Sequence, residues 1–148
     1  MTVDVVTEIE IARARADVAA YSADPDNATT WYRNIEAVAW ETTPPLAVGS
    51  KMRFRARFLG RTLEYTYEVL EHEPSERLVM SMANGPFPME TTYTWSDGAA
   101  GGTHMALRNR GEPEGALRML SSVVAAGVRR ANRADLARLK AILERREP

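Results

Sequence analysis

Val3, Val5, Thr7, Ile9 and Ile11 alternate with Asp4, Val6, Glu8 and Glu10, the period of two expected of a strand with one face on a core. From Ala14 to Ser22 the composition favours a helix. Asp24-Pro25 ends it, because the residue before a proline is pushed out of the helical region, and Asn27 or Asp26 is placed to cap a short second helix carrying Trp31 and Tyr32. After Pro44-Pro45 the alternation returns. Met52, Phe54, Ala56 and Phe58 share one face and Lys51, Arg53, Arg55 and Arg57 the other; the next run sets Leu63, Tyr65, Tyr67 and Val69 against Thr62, Glu64, Thr66 and Glu68. With Gly60-Arg61 as a two-residue turn, this hairpin places Arg57 opposite Glu64 and Arg53 opposite Glu68.

Three further runs read as strands: Leu78, Met80 and Met82; Met89, Thr91, Tyr93 and Trp95; Thr103, Met105, Leu107 and Asn109. Glu73-Pro74-Ser75, Asn84-Gly85-Pro86 and the stretch from Asp97-Gly98 to Gly101-Gly102 separate them with turn residues. Such short connections imply an antiparallel meander. From Gly115 to Arg146 apolar residues recur at three or four (Leu117, Leu120, Val124, Val128, Ala131, Leu139 and Ile142), with one double step from Ala131 to Leu139 spanned by Leu136, which predicts one closing helix on the order of 45 Å long. Gly127 interrupts it at a cost in helix propensity. With no repeat and no linker, residues 1–148 form one α+β domain of six or seven antiparallel strands covered by that helix.

Composition narrows the chemistry. A chain of 148 residues needs no metal or disulfide to hold a core, and without cysteine neither disulfides nor thiolate chemistry is available. Nineteen Lys and Arg against 20 Asp and Glu leave a formal charge of −1, so no overall field draws nucleic acid or holds the protein stably on a membrane. Asp4, Glu8 and Glu10 break the start too early for a signal peptide, and a cytoplasmic location is expected. His72 and His104 lack metal-ligand spacing and read as solvated; a G-x-S-x-G elbow and a P-loop are both absent, so no cofactor is expected. Arg53, Arg55 and Arg57, with Arg108 or Arg110, form a basic stripe on the outer sheet face that Glu64 and Glu68 partly neutralise. Arg129, Arg130 and Arg133 read as the wet side of the helix.

Three stretches carry a family likeness: Asp24-Pro25 followed by Trp31, Gly101-Gly102-Thr103 opening the last strand, and Leu136, Leu139-Lys140 and Leu143-Glu144 closing the helix. Together with the order of elements they resemble the helix-grip fold of the START/Bet v 1-like (SRPBCC) superfamily, in its polyketide cyclase/dehydrase and lipid-transport branch. The resemblance implies a curved sheet wrapped around the long helix, with an apolar cavity between them.

By themselves the inward stripes read as ordinary core. The resemblance makes them a cavity wall: Met52, Phe54, Phe58, Tyr65, Tyr67, Met80, Met82, Thr91, Tyr93, Met105, Leu107 and Asn109 from the strands, Val124, Gly127 and Val128 from the helix. Gly127 reads either as thinning the helix for a ligand or Tyr ring, as a bend, or as close packing on an aromatic. Asn132 faces the cavity or its flank. Methionine adapts to irregular shapes and tyrosine adds a hydroxyl to an apolar body, so the wall suits a flat or flexible ligand with a few oxygens. The expected function is a carrier or sensor, monomeric or homodimeric, for a small hydrophobic molecule of polyketide, lipid or aromatic type. A cofactor-independent cyclase, aromatase or dehydratase using Tyr65, Tyr93 or Asn109 is the enzymatic alternative, and a ligand-free interaction module the third.

Overall fold

The computed structural model describes residues 2–58, 60–82 and 88–146, with the side chains of Phe58, Ala116 and Leu117 outside that description. The expected turn at Asn84-Gly85-Pro86 also falls outside it. In chain order the elements are β1 (Val3–Ile11), α1 (Arg15–Ala23), α2 (Ala28–Trp31), β2 (Ile35–Trp40), β3 (Lys51–Phe58), β4 (Arg61–Glu73), β5 (Arg77–Met82), β6 (Met89–Asp97), β7 (Thr103–Gly111) and α3 (Ser121–Arg145). All strand pairs are antiparallel, in the order β1-β7-β6-β5-β4-β3-β2.

Alternation produces the sheet as expected in β1, where Val3, Val5, Thr7 and Ile11 are buried while Asp4, Val6, Glu8 and Glu10 face solvent. β2 is the strand that the hydrophobic pattern concealed. Its register shifts between Ile35 and Ala37, and a bulge breaks the period of two that would have announced it.

The hairpin of β3 and β4 forms in a different register from the one expected. Phe58 pairs with Arg61, so Gly60, at φ 75°, is the second connecting residue and not the first. Arg55 therefore lies opposite Glu64 and Lys51 opposite Glu68, while Arg53 and Arg57 face Thr66 and Thr62. The displacement is two residues, which leaves every side chain on its expected face; only the cross-strand partners change. Neutralisation of the outer arginines comes instead from β2 and the residue after it. Glu36 lies 3.6 Å from Arg55 and 3.8 Å from Arg57, and Glu41 lies 4.0 Å from Arg53.

Asp24 ends α1 and accepts a hydrogen bond from the Asp26 N–H at 2.9 Å, which caps the 3-10 turn Pro25–Asn27 and sets up α2. Neither Asn27 nor Asp26 caps α2 through its side chain, and Tyr32 lies just beyond its end. Trp31 of α2 is fully buried, next to Tyr32 and Tyr93.

The closing helix is shorter than its periodicity predicts. Gly115–Leu120 is a 3-10 turn, and α3 has 25 residues, about 37 Å at 1.5 Å per residue. Its second half is fastened to the end of β1. Lys140 Nζ donates to the Glu10 carbonyl at 2.7 Å, the Ala12 N–H donates to Glu144 at 2.8 Å, and Arg13 donates to the Leu143 carbonyl at 2.7 Å. Leu136, Leu139 and Leu143 are buried there with Ile11, Val18, Trp31, Leu78, Met105 and Leu107. Removing one such leucine side chain typically costs about 2–5 kcal/mol, so this end is where the helix is held. Along the first half, Val124 and Val128 are only half-buried and Gly127 is exposed.

Candidate functional site

The difference between the two halves of α3 marks the candidate site. The inner face of β3 and β4 carries three mutually packed rings. Phe54 lies 5.9 Å from Tyr65 and 5.8 Å from Tyr67 between ring centres, and the two tyrosines meet edge-on at 5.6 Å. Phe54 is buried, but Tyr65 and Tyr67 keep part of their surface accessible.

A chain of hydrogen bonds leads from these rings to the helix. The Tyr67 and Thr91 hydroxyls share a hydrogen bond at 3.0 Å, Asn109 Nδ2 donates to Thr91 Oγ1 at 3.0 Å, and Asn132 Nδ2 donates to Asn109 Oδ1 at 2.7 Å. Four polar side chains on β4, β6, β7 and α3 thus satisfy one another inside an otherwise apolar layer. Burying them singly would cost several times what a hydrogen bond returns, which is why they occur as a connected set.

A second polar group lies nearby. The Tyr32 and Tyr93 hydroxyls are hydrogen-bonded to each other. Asp135, buried on α3, accepts the Arg33 N–H at 3.1 Å and lies 3.8 Å from Arg138 Nη1. Burial raises the Asp135 carboxyl above its ordinary value, partly offset by the Arg33 N–H and by the Arg138 and Arg33 charges. Burial also pushes the phenols of Tyr32, Tyr65, Tyr67 and Tyr93 upward, so they remain neutral hydrogen-bonding groups at physiological pH.

Of the strand residues expected to line the interior, Met52, Phe54, Met80, Met82, Thr91, Tyr93, Met105 and Leu107 are buried, and Tyr65, Tyr67 and Asn109 are half-buried. Phe58 lies where its side chain is not described. On the helix, Val124 and Val128 share the stripe of Asn132, four residues apart, and are half-buried. Gly127 does not belong to the site. It is exposed, and a Cβ added there meets nothing within 4 Å, so it neither admits a ring nor packs on an aromatic.

Tyr32, Asn132 and Asp135 are interior residues that sequence reasoning either omitted or left undecided. The signal was present: Ser121, Val124, Val128, Asn132, Asp135, Leu136, Leu139 and Leu143 follow one another by three, four or one residue along a single face. Scoring apolar residues alone selected Ala131, and the stripe then skipped to Leu136.

A groove of about 470 Å³ lies elsewhere, between the alanine face of α1, Trp40, the Pro44-Pro45 loop and the turn at Pro74 and Ser75. None of the expected site residues lines it. On the outer sheet face His104 stands between two carboxylates, 2.9 Å from Glu8 and 2.7 Å from Glu10. His72 lies at the edge of the α1 groove. Among the described residues no cluster of three or more His, Cys, Asp or Glu is arranged to hold a metal ion.

A seven-stranded antiparallel sheet closed by a long C-terminal helix, with two short helices after the first strand, defines a helix-grip fold. The chain belongs to the polyketide cyclase/dehydrase and lipid transport family, whose sequence profile matches residues 2–144. Among solved structures it is similar to the Zhui aromatase/cyclase from Streptomyces sp. R1128, with a TM-score of 0.83 at 17% identity over 99% of this chain and 96% of that one. It is similar also to TTHA0849 from Thermus thermophilus, with a TM-score of 0.79 at 17% identity over 93% and 94% of the two chains. Ara h 8.0201 matches with a TM-score of 0.75 at 10% identity over 99% and 100%. At these identities the similarity is one of fold. A search of curated proteins returns no match.

Proposed function

We propose that the protein binds a small hydrophobic molecule bearing one or more oxygens, in the interior between the sheet and the first half of α3, as a carrier or sensor working in the cytoplasm. The observation that carries this reading is the incomplete burial of Tyr65, Tyr67, Asn109, Val124 and Val128, which face inward yet retain accessible surface, while the other half of the same helix is sealed. Phe54 and the methionines offer apolar contact, and the Tyr67–Thr91–Asn109–Asn132 chain offers donors and acceptors that a ligand carbonyl or hydroxyl can join. Fixed polar groups within a mostly apolar wall orient a ligand without demanding charge from it. The family supplies the same expectation for the whole class.

Native mass spectrometry of gently purified protein, followed by thermal-shift screening against hydrophobic polyketides, fatty acids and aromatics, tests the proposal. A retained mass, or stabilisation that grows with ligand concentration, is the expected result. A protein that is consistently empty and gains no stability from any of the three classes overturns it.

A second reading is supported by Asp135, a buried carboxyl whose proton affinity is raised, on the same helix face as Asn132. In an enzyme of the cyclase or dehydratase type it would serve as the general acid or base that the neutral phenols cannot supply. Turnover of a reactive polyketide mimic that is lost in Asp135→Asn while binding persists would favour catalysis over carriage.

A further inference from the structure

We propose that the outer face of the first half of α3, with the 3-10 turn before it, docks the protein reversibly onto an anionic lipid surface. Residues 115–134 contain Arg118, Arg129, Arg130 and Arg133 and no Asp or Glu, within a chain whose formal charge is −1. All four arginines are exposed, and none has a carboxylate within 4.0 Å among the described residues. Exposed arginines without such a partner also occur singly or in pairs elsewhere, at Arg33, Arg61, Arg110, Arg145 and Arg146, but only in residues 115–134 do they accompany Met119, Leu120 and Val123, all exposed.

The same segment exposes its apolar side chains. Met119 is 90% exposed, Val123 66% and Leu120 50%. Val123, Gly127, Arg130 and Ala134 follow one another by three or four, directly opposite the buried stripe of Asn132, Leu136 and Leu139, and all four are exposed. A face with protruding Met and Val, a flat strip at Gly127 and unpaired arginines has the chemistry of an interfacial helix: the apolar groups enter the acyl boundary and the guanidinium groups meet lipid phosphates. Charge complementarity selects the occupant: Glu112 and Glu114 lie beside Arg118, but Arg129, Arg130 and Arg133 have no carboxylate within 4.0 Å among the described residues and match a surface rich in anionic headgroups.

Docking of this kind is peripheral. Among the described residues no helix is long and apolar enough to cross a membrane. The inference does not rest on the interior holding a ligand, since it uses only the outward face of α3.

Co-sedimentation of the whole chain with vesicles of phosphatidylcholine alone and of phosphatidylcholine with about 30% phosphatidylglycerol tests it, at low and high salt. Binding is expected to the anionic vesicles only, and to weaken with salt. Arg129→Glu with Arg130→Glu is expected to lower binding by about tenfold or more, and Met119→Ser with Val123→Ser to lower it comparably. All four sites are exposed, so circular dichroism should show both double variants folded. Equal binding to neutral vesicles, no binding to either, or full binding by the charge-reversed variant overturns the proposal. So does concentration-dependent self-association by light scattering that Met119→Ser with Val123→Ser abolishes, since the face would then cover a second copy.

Discussion

Asn132 on α3 donates through Nδ2 to Oδ1 of Asn109 on β7 at 2.7 Å, and this bond joins the helix to the polar groups of the sheet. Asn132 is 6% exposed, so its amide has little access to water if the partner is lost. Replacing either residue by alanine should therefore cost about 1–2 kcal/mol of stability. The double variant should cost less than the two singles combined, with a coupling of about 1 kcal/mol by denaturant unfolding, because each single leaves the other amide unpaired. Strict additivity would show that the two side chains act independently.

Tyr67→Phe removes the hydroxyl that bonds to Thr91 and keeps the ring against Phe54 and Tyr65. Thr91 retains its bond from Asn109, so the loss of stability should stay below about 1 kcal/mol. Affinity for an oxygen-bearing ligand should fall by roughly five- to tenfold, the equivalent of one hydrogen bond. Calorimetric titration beside thermal melting separates the two effects; unchanged affinity removes Tyr67 from the site.

Both successes and failures of the sequence reading have local causes. The strands of the sheet follow period two so closely that β1 was legible to the residue, whereas β2 was hidden by the bulge between Ile35 and Ala37. In the β3–β4 hairpin the alternation fixed the faces but not the partners, because a displacement of two residues satisfies the same pattern. Alternation was enough to turn the strand residues of the candidate site inward, the polar Thr91 and Asn109 as well as the apolar and aromatic ones. Asn132 and Asp135 occupy core positions of α3 with polar side chains, and a search for apolar periodicity passes over them. Only the register between helix and sheet, which a sequence does not carry, brings Asn132 to Asn109.

Asp135 provides a test by pH. Burial raises its folded-state proton affinity above that of the unfolded chain, so its contribution to stability is fully present below pH about 3.9 and is lost as pH rises through the higher folded value. Asp135→Asn keeps an oxygen to accept the Arg33 N–H and carries no charge to bury, whereas Asp135→Ala leaves that N–H unpaired. At about pH 7 the Asn variant is expected to match or exceed the parent, and the Ala variant to lose about 1–3 kcal/mol. The gain of Asn over Asp should vanish by about pH 3.5. A large loss in Asp135→Asn at neutral pH would show that the ion pair with Arg138 outweighs desolvation.

His104 should give a smaller effect. Its hydrogen bonds to Glu8 and then Glu10 raise its proton affinity, so its contribution is fully present below pH about 6.5 and disappears as pH rises through its elevated folded value. Both glutamates are more than half exposed, at 58% and 63%, and screening limits the effect to about 0.5 kcal/mol. Melting curves from about pH 5.5 to 9 should show this decline in the parent and a flatter profile in His104→Gln. Parallel profiles would mean that the two contacts leave stability unchanged.

Two glycines should respond oppositely to alanine. At Gly102 an added Cβ lies 2.8 Å from the Ile11 carbonyl oxygen and 3.1 Å from that of Ala99, both backbone atoms at the entry to β7 that a side-chain rotation cannot relieve. Gly102→Ala is expected to cost about 1–3 kcal/mol, as overpacking does elsewhere. At Gly127 the helix is exposed and nothing lies within 4 Å, so alanine adds helix propensity without a clash and should gain about 1 kcal/mol. For a chain of 148 residues that gain corresponds to roughly 3 °C in melting temperature. Differential scanning calorimetry of the two variants checks both signs, and a destabilised Gly127→Ala would mean that this stretch of α3 does not behave as an unobstructed helix in solution.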